Sequence, residues 1–210
     1  MSTPPLLRPV RPDDEAAVSA VAYATGFFGA SAARYFPARE LFGRLWVTPY
    51  LRGMPPCGFV AQLGGQTVGY IIGSPSWDTY ARALRRTVPH SLWEAWPAPQ
   101  EVVPSLRFLL RSARYALPHA DAARYPAHLH LNLLPEARGH HLGEQLLLTY
   151  LDELRRRGAC GVQLSTTEEN VAAVHLYRKA GFTVLSEART PLWTPWLGRP
   201  TRQLVMGRIL

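Results

Sequence analysis

The sequence predicts an α/β or α+β fold, a sheet with helices packed on its faces, and three observations carry that expectation. From residue 127 onward, strand-like and helix-like patterns follow one another in the order strand, helix, strand, helix, strand, strand. Upstream, "CGFVAQLGGQTVGYIIGS" (57–74) reads as a hairpin, two β-rich runs joined around Gly64-Gly65. The chain opens on "LLRPV" (6–10), a short strand, followed by "RPDDEAAVSAVAYATGF" as turn and helix. At 210 residues the whole chain, 1–210, fits one domain with a substantial core.

The elements follow in order. Asp13 or Asp14 is placed to cap the first helix, where acidic side chains favour the first turn. "ARELFGRLWVT" predicts a second helix over 38–48, ending before Pro49. Residues 75–126, rich in proline and tryptophan, contain helical pieces near 78–87 and 104–116 and read as an addition between the third and fourth strands. Arg107, Arg111 and Arg114 share a helix face, a pattern that serves a solvated stripe more often than an acidic partner. "AHLHLNLL" alternates as a strand, with His128, His130 and Asn132 on one face and Leu129, Leu131 and Leu133 on the other. The next helix carries Leu142, Leu146, Leu147, Tyr150, Leu151 and Leu154 on one side; Arg155–Arg157 suit its C-terminal end and Gly158 stops it. "CGVQLSTT" is a strand. "NVAAVHLYRKAG" is a helix with Asn170 as N-cap and Gly181 as stop. "FTVLSEA" and "RQLVMGRIL" are the last strands, separated by "RTPLWTPWLGRP".

Composition excludes several classes of function. Apolar residues make up 47%, and no apolar run is long enough for a transmembrane helix, so no membrane role is expected. The N-terminus lacks the pattern of a secretory signal. Cys57 and Cys160 have neither redox nor metal-ligand spacing, which predicts reduced thiols, a cytoplasmic setting and no metal. The net charge of +8 invites a nucleic-acid reading. Yet the cations are dispersed arginines with Lys179 the only lysine, and no basic run is interleaved with aromatics, so no nucleic-acid partner is expected.

The stretch Arg138-Gly139-His140-His141-Leu142-Gly143 opens a helix directly after a strand and Pro135. A helix N-terminus exposes unpaired N–H groups at the positive end of the helix dipole and attracts phosphate. Gly139 and Gly143 let backbone approach a ligand closely, and Arg138 adds charge, which points to a pyrophosphate seated on residues 139–144. A Walker-type loop lacks its lysine here, and a dinucleotide fold lacks its glycine triplet. Asn170 and Tyr177, seven residues apart, project from one side of their helix about 10 Å apart, which suits two contacts with one elongated ligand.

Together these stretches resemble the GNAT superfamily of acetyl-CoA-dependent N-acyltransferases. The turn follows the family's Q/R-x-x-G-x-G/A pattern, with His141 standing where its first motif glycine is expected. The signature N-x-x-A-x-x-x-Y-x-x-x-G-F is met by Asn170, Ala173, Tyr177, Gly181 and Phe182. The longer run "PAHLHLNLLPEARGHHLG" is similar to bacterial acetyltransferases related to the acetyltransferase-like domain found with O-GlcNAcases. The resemblance implies a mixed, mostly antiparallel sheet whose fourth strand splays from the fifth, with a helical insertion between the third and fourth strands. It implies acetyl-CoA as cosubstrate, no metal, and transfer to a primary amine, either a small molecule or a protein amine.

Carried onto this chain, the resemblance implies that backbone at Leu131 and Leu133 pairs with the pantetheine arm. Arg138 and the turn from Gly139 through His140, His141, Leu142 and Gly143 to Glu144 would hold the pyrophosphate, its amides foremost. Asn170 would touch the cofactor arm, and Tyr177 would protonate the leaving thiolate. The His141 side chain is expected to narrow the pyrophosphate's approach. The base is left open. Ser165 stands where some relatives carry glutamate, and His128 and His130 fall one residue out of phase with the family's histidines unless a bulge shifts them. Structural or surface roles suit these two histidines better, and a water-relayed proton is the other route. Trp77, Tyr80, Trp193 and Trp196 could border the acceptor. An acyl-CoA-binding module without catalysis is the rival reading, and a homodimer is the commonest assembly open to such a chain.

Overall fold

The computed structural model describes residues 4–137 and 139–210. The chain opens with strand β1 (Leu6–Pro9) and helix α1 (Glu15–Thr25), then α2 (Arg39–Trp46) and the short α3 (Thr48–Leu51). Strands β2 (Gly58–Leu63) and β3 (Gln66–Ser74) make the hairpin, followed by α4 (Trp77–Glu94) and α5 (Pro99–Tyr115). Then come β4 (Ala127–Leu133), α6 (Leu142–Arg156), β5 (Gly161–Thr167), α7 (Val171–Lys179), β6 (Thr183–Thr190), α8 (Thr194–Leu197) and β7 (Thr201–Ile209). The strands form one sheet in the order β1-β2-β3-β4-β5-β7-β6. Every neighbouring pair is antiparallel except β4 and β5.

Strand alternation divides the interior into two cores on opposite faces of the sheet. Val60, Tyr70 and Ile72 face α1, α2 and an aromatic cluster that includes Tyr35, Phe36, Phe42 and Phe108. Phe59, Ala61 and Ile71 face α6, whose Leu146, Leu147, Leu151 and Leu154 are fully buried as their helical spacing predicts. β4 obeys the same alternation. Leu129, Leu131 and Leu133 join the α6 core, while Asn132 bonds to Tyr70 and Thr25 on the α1 side.

The helix ends are set by named residues. Gly158 (φ 75°) and Gly181 (φ 81°) take left-handed conformations just past α6 and α7. In each case the following residue donates back into the last turn, Ala159 to Leu154 (3.0 Å) and Phe182 to Tyr177 (3.0 Å). Asp14 occupies the position before α1, but its carboxylate caps nothing there. It accepts the Arg8 guanidinium (2.6 and 2.7 Å) and the Arg11 N–H (2.8 Å), tying β1 to the helix entrance.

Three expectations from local sequence were too short. Pro49 does not end helical structure; it sits in the first turn of α3, where a missing N–H costs nothing. Pro89 and Pro104 lie inside α4 and α5; α4 continues to Glu94, past the predicted 78–87, and α5 begins at Pro99, ahead of the predicted 104–116. A proline forgoes one helix hydrogen bond, and here the turns around it are held by burial of Ser91, Ser105 and Phe108. Arg111 is also not part of a solvated stripe: its Nε donates to the Leu192 carbonyl (2.9 Å), and the Pro191 carbonyl accepts from the same guanidinium.

Candidate functional site

The parallel pairing of β4 with β5 consists of Ala127 with Val162 and His128 with Gln163, and it ends there. Beyond His128 the two strands part. The Leu134 N–H donates to Val68 (2.8 Å) on the β3 side, so backbone alternation turns the peptide groups of Leu129, Leu131 and Leu133 to the opposite, open side. The β3–β4 register is continuous from Ser74–His128 to Gly69–Leu133, so no bulge alters this phase.

A cleft of about 220 Å³ occupies the gap. Leu131, Asn170 and Tyr177 line it from one side; Thr25, Phe28, His130, Asn132 and Trp193 line it from the other. Among the described residues that line it, none is Asp, Glu, Lys or Arg. A larger hollow of about 890 Å³ lies between α1, α2 and α4, and two of its carboxylates are held in close pairs. Glu94 pairs with Arg44 (3.1 Å) and His90 (3.0 Å), and Glu15 accepts from Arg52 and Thr48. The smaller cleft brings together a phenol, an imidazole and two side-chain amides, those of Tyr177, His130, Asn132 and Asn170.

Tyr177 is 5% exposed, its ring 5.6 Å from that of Phe182, and burial raises its pKa, which keeps the phenol protonated at neutral pH. Asn170 holds the position before α7 without a side-chain cap hydrogen bond, contrary to its expected capping role; its backbone carbonyl receives Val174 N–H (3.0 Å), and its side chain is left for the cleft.

The turn before α6 lies next to the cleft without lining it. His141 adopts a left-handed conformation (φ 53°, ψ 17°) before the helix, the geometry in which a glycine would be unstrained. The sequence pattern asks for glycine there for backbone reasons, and histidine, one of the residue types enriched in this region, meets the requirement. Gly139 (φ 78°) has open space around it. Gly143 is closely packed: an added Cβ would lie 3.0 Å from Leu133 Cδ1 and 3.4 Å from Leu176 Cδ2. Leu142 is buried, His140 and His141 are exposed, and the Glu144 carboxylate accepts from Lys179 (2.8 Å), joining α6 to α7. Arg138 lies outside the described residues.

The two histidines of β4 divide. His128 is a structural residue, 5% exposed, its ring stacked 4.4 Å from Trp77. Burial above all, then the neighbouring His130 and His119, lowers its pKa to about 3. His130 is exposed and lines the cleft. Surrounding protein lowers its pKa to about 4, an effect that water on the exposed ring face partly offsets in the open cleft. Both imidazoles reach one hydroxyl, that of Tyr50 (2.9 Å from His128 Nε2 and 3.0 Å from His130 Nε2).

Trp193 lines the cleft as the sequence suggested, with Trp196 packed behind it at 5.9 Å, whereas Trp77 and Tyr80 pack on His128 instead. Thr25, Phe28 and Tyr50 carry no local signal in the sequence. They arrive from α1, the loop after it and α3, and only the fold brings them to β4. Among the described residues no group of three or more His, Cys, Asp or Glu side chains could hold a metal, and no helix is long and apolar enough to cross a membrane.

Comparison with known proteins extends this picture. The sequence profile of the acetyltransferase (GNAT) family matches residues 27–182. The structure is similar to that of SsHAT, with TM-score 0.75 and 29% identity over 99% of this chain and 98% of that one. It shares its fold with YncA of Salmonella typhimurium, a putative acetyltransferase solved with its cofactor acetyl-CoA (TM-score 0.57, 17% identity, 99% and 95% covered). It shares it also with the ribosomal-protein-alanine N-acetyltransferase of Brucella melitensis (TM-score 0.58, 19% identity, 98% and 99% covered). Among curated proteins, mycothiol acetyltransferase of Nocardia farcinica is 50% identical over 48 residues, a segment that spans 23% of this chain and 16% of that protein.

Proposed function

Because the chain belongs to the acetyltransferase (GNAT) family, we propose that it moves an acetyl group from acetyl-CoA to a primary amine by direct attack, without an acyl-enzyme. The observation that carries this reading is the parting of β4 from β5 after His128, which leaves outward peptide groups at Leu131 and Leu133 beside a cleft that Tyr177 and Asn170 share.

The residues fit a thioester with a long polar arm. Unpaired peptide groups on β4 offer the arm a strand to pair with, as an extended peptide adds to a sheet edge. The first N–H groups of α6, from Leu142 to Glu144, have no acceptor within the helix and sit at its positive end, where a pyrophosphate is stabilised. Arg138 and the amides of Gly139, His140 and His141 complete that reading of the turn. Asn170 meets the arm with its uncapped side chain.

For the chemistry, His130 takes a proton from the attacking nitrogen, the Leu133 N–H stabilises negative charge developing on the thioester oxygen, and Tyr177 protonates the departing sulfur. His130 is neutral at pH 7 and therefore has a lone pair to offer; Tyr177, with its raised pKa, has a proton to give.

The test is release of CoA thiol from acetyl-CoA in the presence of an amine, together with thermal stabilisation by acetyl-CoA and not by ATP. A second reading, an acyl-CoA-binding module without catalysis, draws on the lack of any carboxylate base among the described residues lining the cleft. It predicts stabilisation by acetyl-CoA with no thiol release for any amine.

A further inference from the structure

The α1 side of the cleft has a character of its own. Phe28 and Trp193 meet edge to face there, ring centroids 5.1 Å apart, and form an aromatic wall. Phe28 is held at φ 52°, a left-handed conformation that a bulky side chain rarely adopts. Two hydrogen bonds between Phe27 and Ala30 (2.8 and 2.9 Å) clamp the loop around it. Strain of this kind persists only where the surroundings impose it, and here it delivers a ring to the site. Trp193 is fixed from the far side, where Arg111 grips the carbonyls of Pro191 and Leu192. Two distant segments are thus immobilised to make one apolar aromatic corner, its two rings inclined by 72°.

The same side lacks what a charged acceptor needs. An alkyl amine arrives as an ammonium ion, with a pKa of about 10, and a carboxylate in the site would be its natural partner. An amino acid brings a carboxylate that calls for arginine or lysine. Neither sign of charge is present among the described residues lining the cleft. Besides the two aromatic rings, the α1 side offers Thr25, Asn132 and His130, all uncharged at neutral pH. The Asn132 amide is already spent, donating to Thr25 (2.8 Å) and accepting from Tyr70 (3.0 Å).

We propose that the acceptor is a weakly basic aromatic amine, which lies against the Phe28–Trp193 wall and presents an uncharged nitrogen to His130. This rests on the acetyl-transfer reading above and names its substrate class. The proton economy agrees with the geometry. A histidine whose pKa lies below the ordinary value is poorly matched to stripping an alkylammonium. It is well matched to a nitrogen that is already neutral and becomes acidic only as it bonds to carbon. In the step, the nitrogen lone pair forms the C–N bond to the acetyl carbon and the C–S bond breaks. The nitrogen's proton passes to His130, and Tyr177 gives its proton to sulfur. Water returns the proton from His130 to Tyr177, and the products are the N-acetyl arylamine and CoA thiol.

The experiment follows thiol release and acetylated product with the full-length protein and acetyl-CoA at pH 7, across one- and two-ring arylamines, alkyl primary amines of matched size, α-amino acids and a peptide N-terminus. The expected result is a kcat/KM for arylamines at least about tenfold above every other class. Phe28→Gly, which accepts φ 52° without strain and removes only the ring, should raise the arylamine KM about tenfold. Trp193→Ala should do the same, and both variants should keep the thermal stabilisation by acetyl-CoA. Turnover that prefers alkyl amines or amino acids, or a KM indifferent to both variants, overturns the aromatic assignment and leaves acetyl transfer standing. Stabilisation by acetyl-CoA with no turnover of any amine overturns the transfer reading itself.

Discussion

The hydroxyl of Tyr50 stands 3.0 Å from Nε2 of His130 and fixes the one imidazole that opens into the cleft. The same hydroxyl lies 2.9 Å from Nε2 of His128. A phenol has one proton to donate. At most one of the two rings therefore accepts from Tyr50, and any other ring nitrogen that bonds to this hydroxyl must carry a proton. Among the described residues His128 Nδ1 is buried with no hydrogen-bond partner, and Tyr50 is the hydrogen-bond partner of that ring. Tyr50→Phe should accordingly lower stability by about 1–3 kcal/mol, read from urea denaturation. It should also lower kcat by roughly tenfold with the acetyl-CoA KM unchanged, because His130 loses its orientation. An unchanged kcat would remove Tyr50 and His130 from the mechanism.

Tyr177→Phe deletes a protonated phenol from the cleft while keeping the ring that packs on Phe182. Loss of a general acid should cut kcat by about 10²–10³-fold. Thermal stabilisation by acetyl-CoA should persist, since the ring and the α6 turn are intact. Full activity in this variant would assign sulfur protonation to water.

His128 gives stability a pH dependence with a definite sign. Its folded-state pKa, about 3, lies below the ordinary 6.5, so between these values the unfolded chain binds a proton that the folded chain refuses. The contribution is complete above pH 6.5 and declines as the pH falls toward 3. By pH 5 the loss from this residue is about 2 kcal/mol. Urea midpoints measured from pH 8 to pH 5 should fall, and the slope should flatten in His128→Gln. Parallel slopes in the two proteins would show that the ring titrates normally.

His141 tests the backbone account of the turn. At φ 53° a glycine is unstrained, whereas a β-branched side chain meets the full left-handed penalty. His141→Val should cost about 1–2 kcal/mol and weaken the stabilisation by acetyl-CoA. His141→Gly should retain both properties of the wild type. Equal behaviour of the two variants would mean that the turn's geometry is set elsewhere.

The parts of the site that were legible in the sequence are those in which neighbours along the chain meet in space. The alternation of β4, the apolar face of α6, the glycine stops at 158 and 181 and the Asn170–Tyr177 spacing all follow from periods of 2 and 3.6 residues, which local chemistry sets. Where local rules failed, packing had overridden them. Pro89 and Pro104 were absorbed into long helices, Asn170 exchanged a cap bond for the cleft, and Arg111 was drawn to the loop before α8.

By itself, the sequence determined the strands, the helices and the glycine-containing turn and tyrosine that carry the family resemblance. The tertiary structure alone decided which side chains line the cleft. Phe28, Tyr50 and Trp193 converge on β4 from segments widely separated along the chain. The place where β4 parts from β5 depends on two strands that pair at only two positions. Periodicity reports on which face of an element is buried, but not on which other element will cover it. The cleft is made by that second choice.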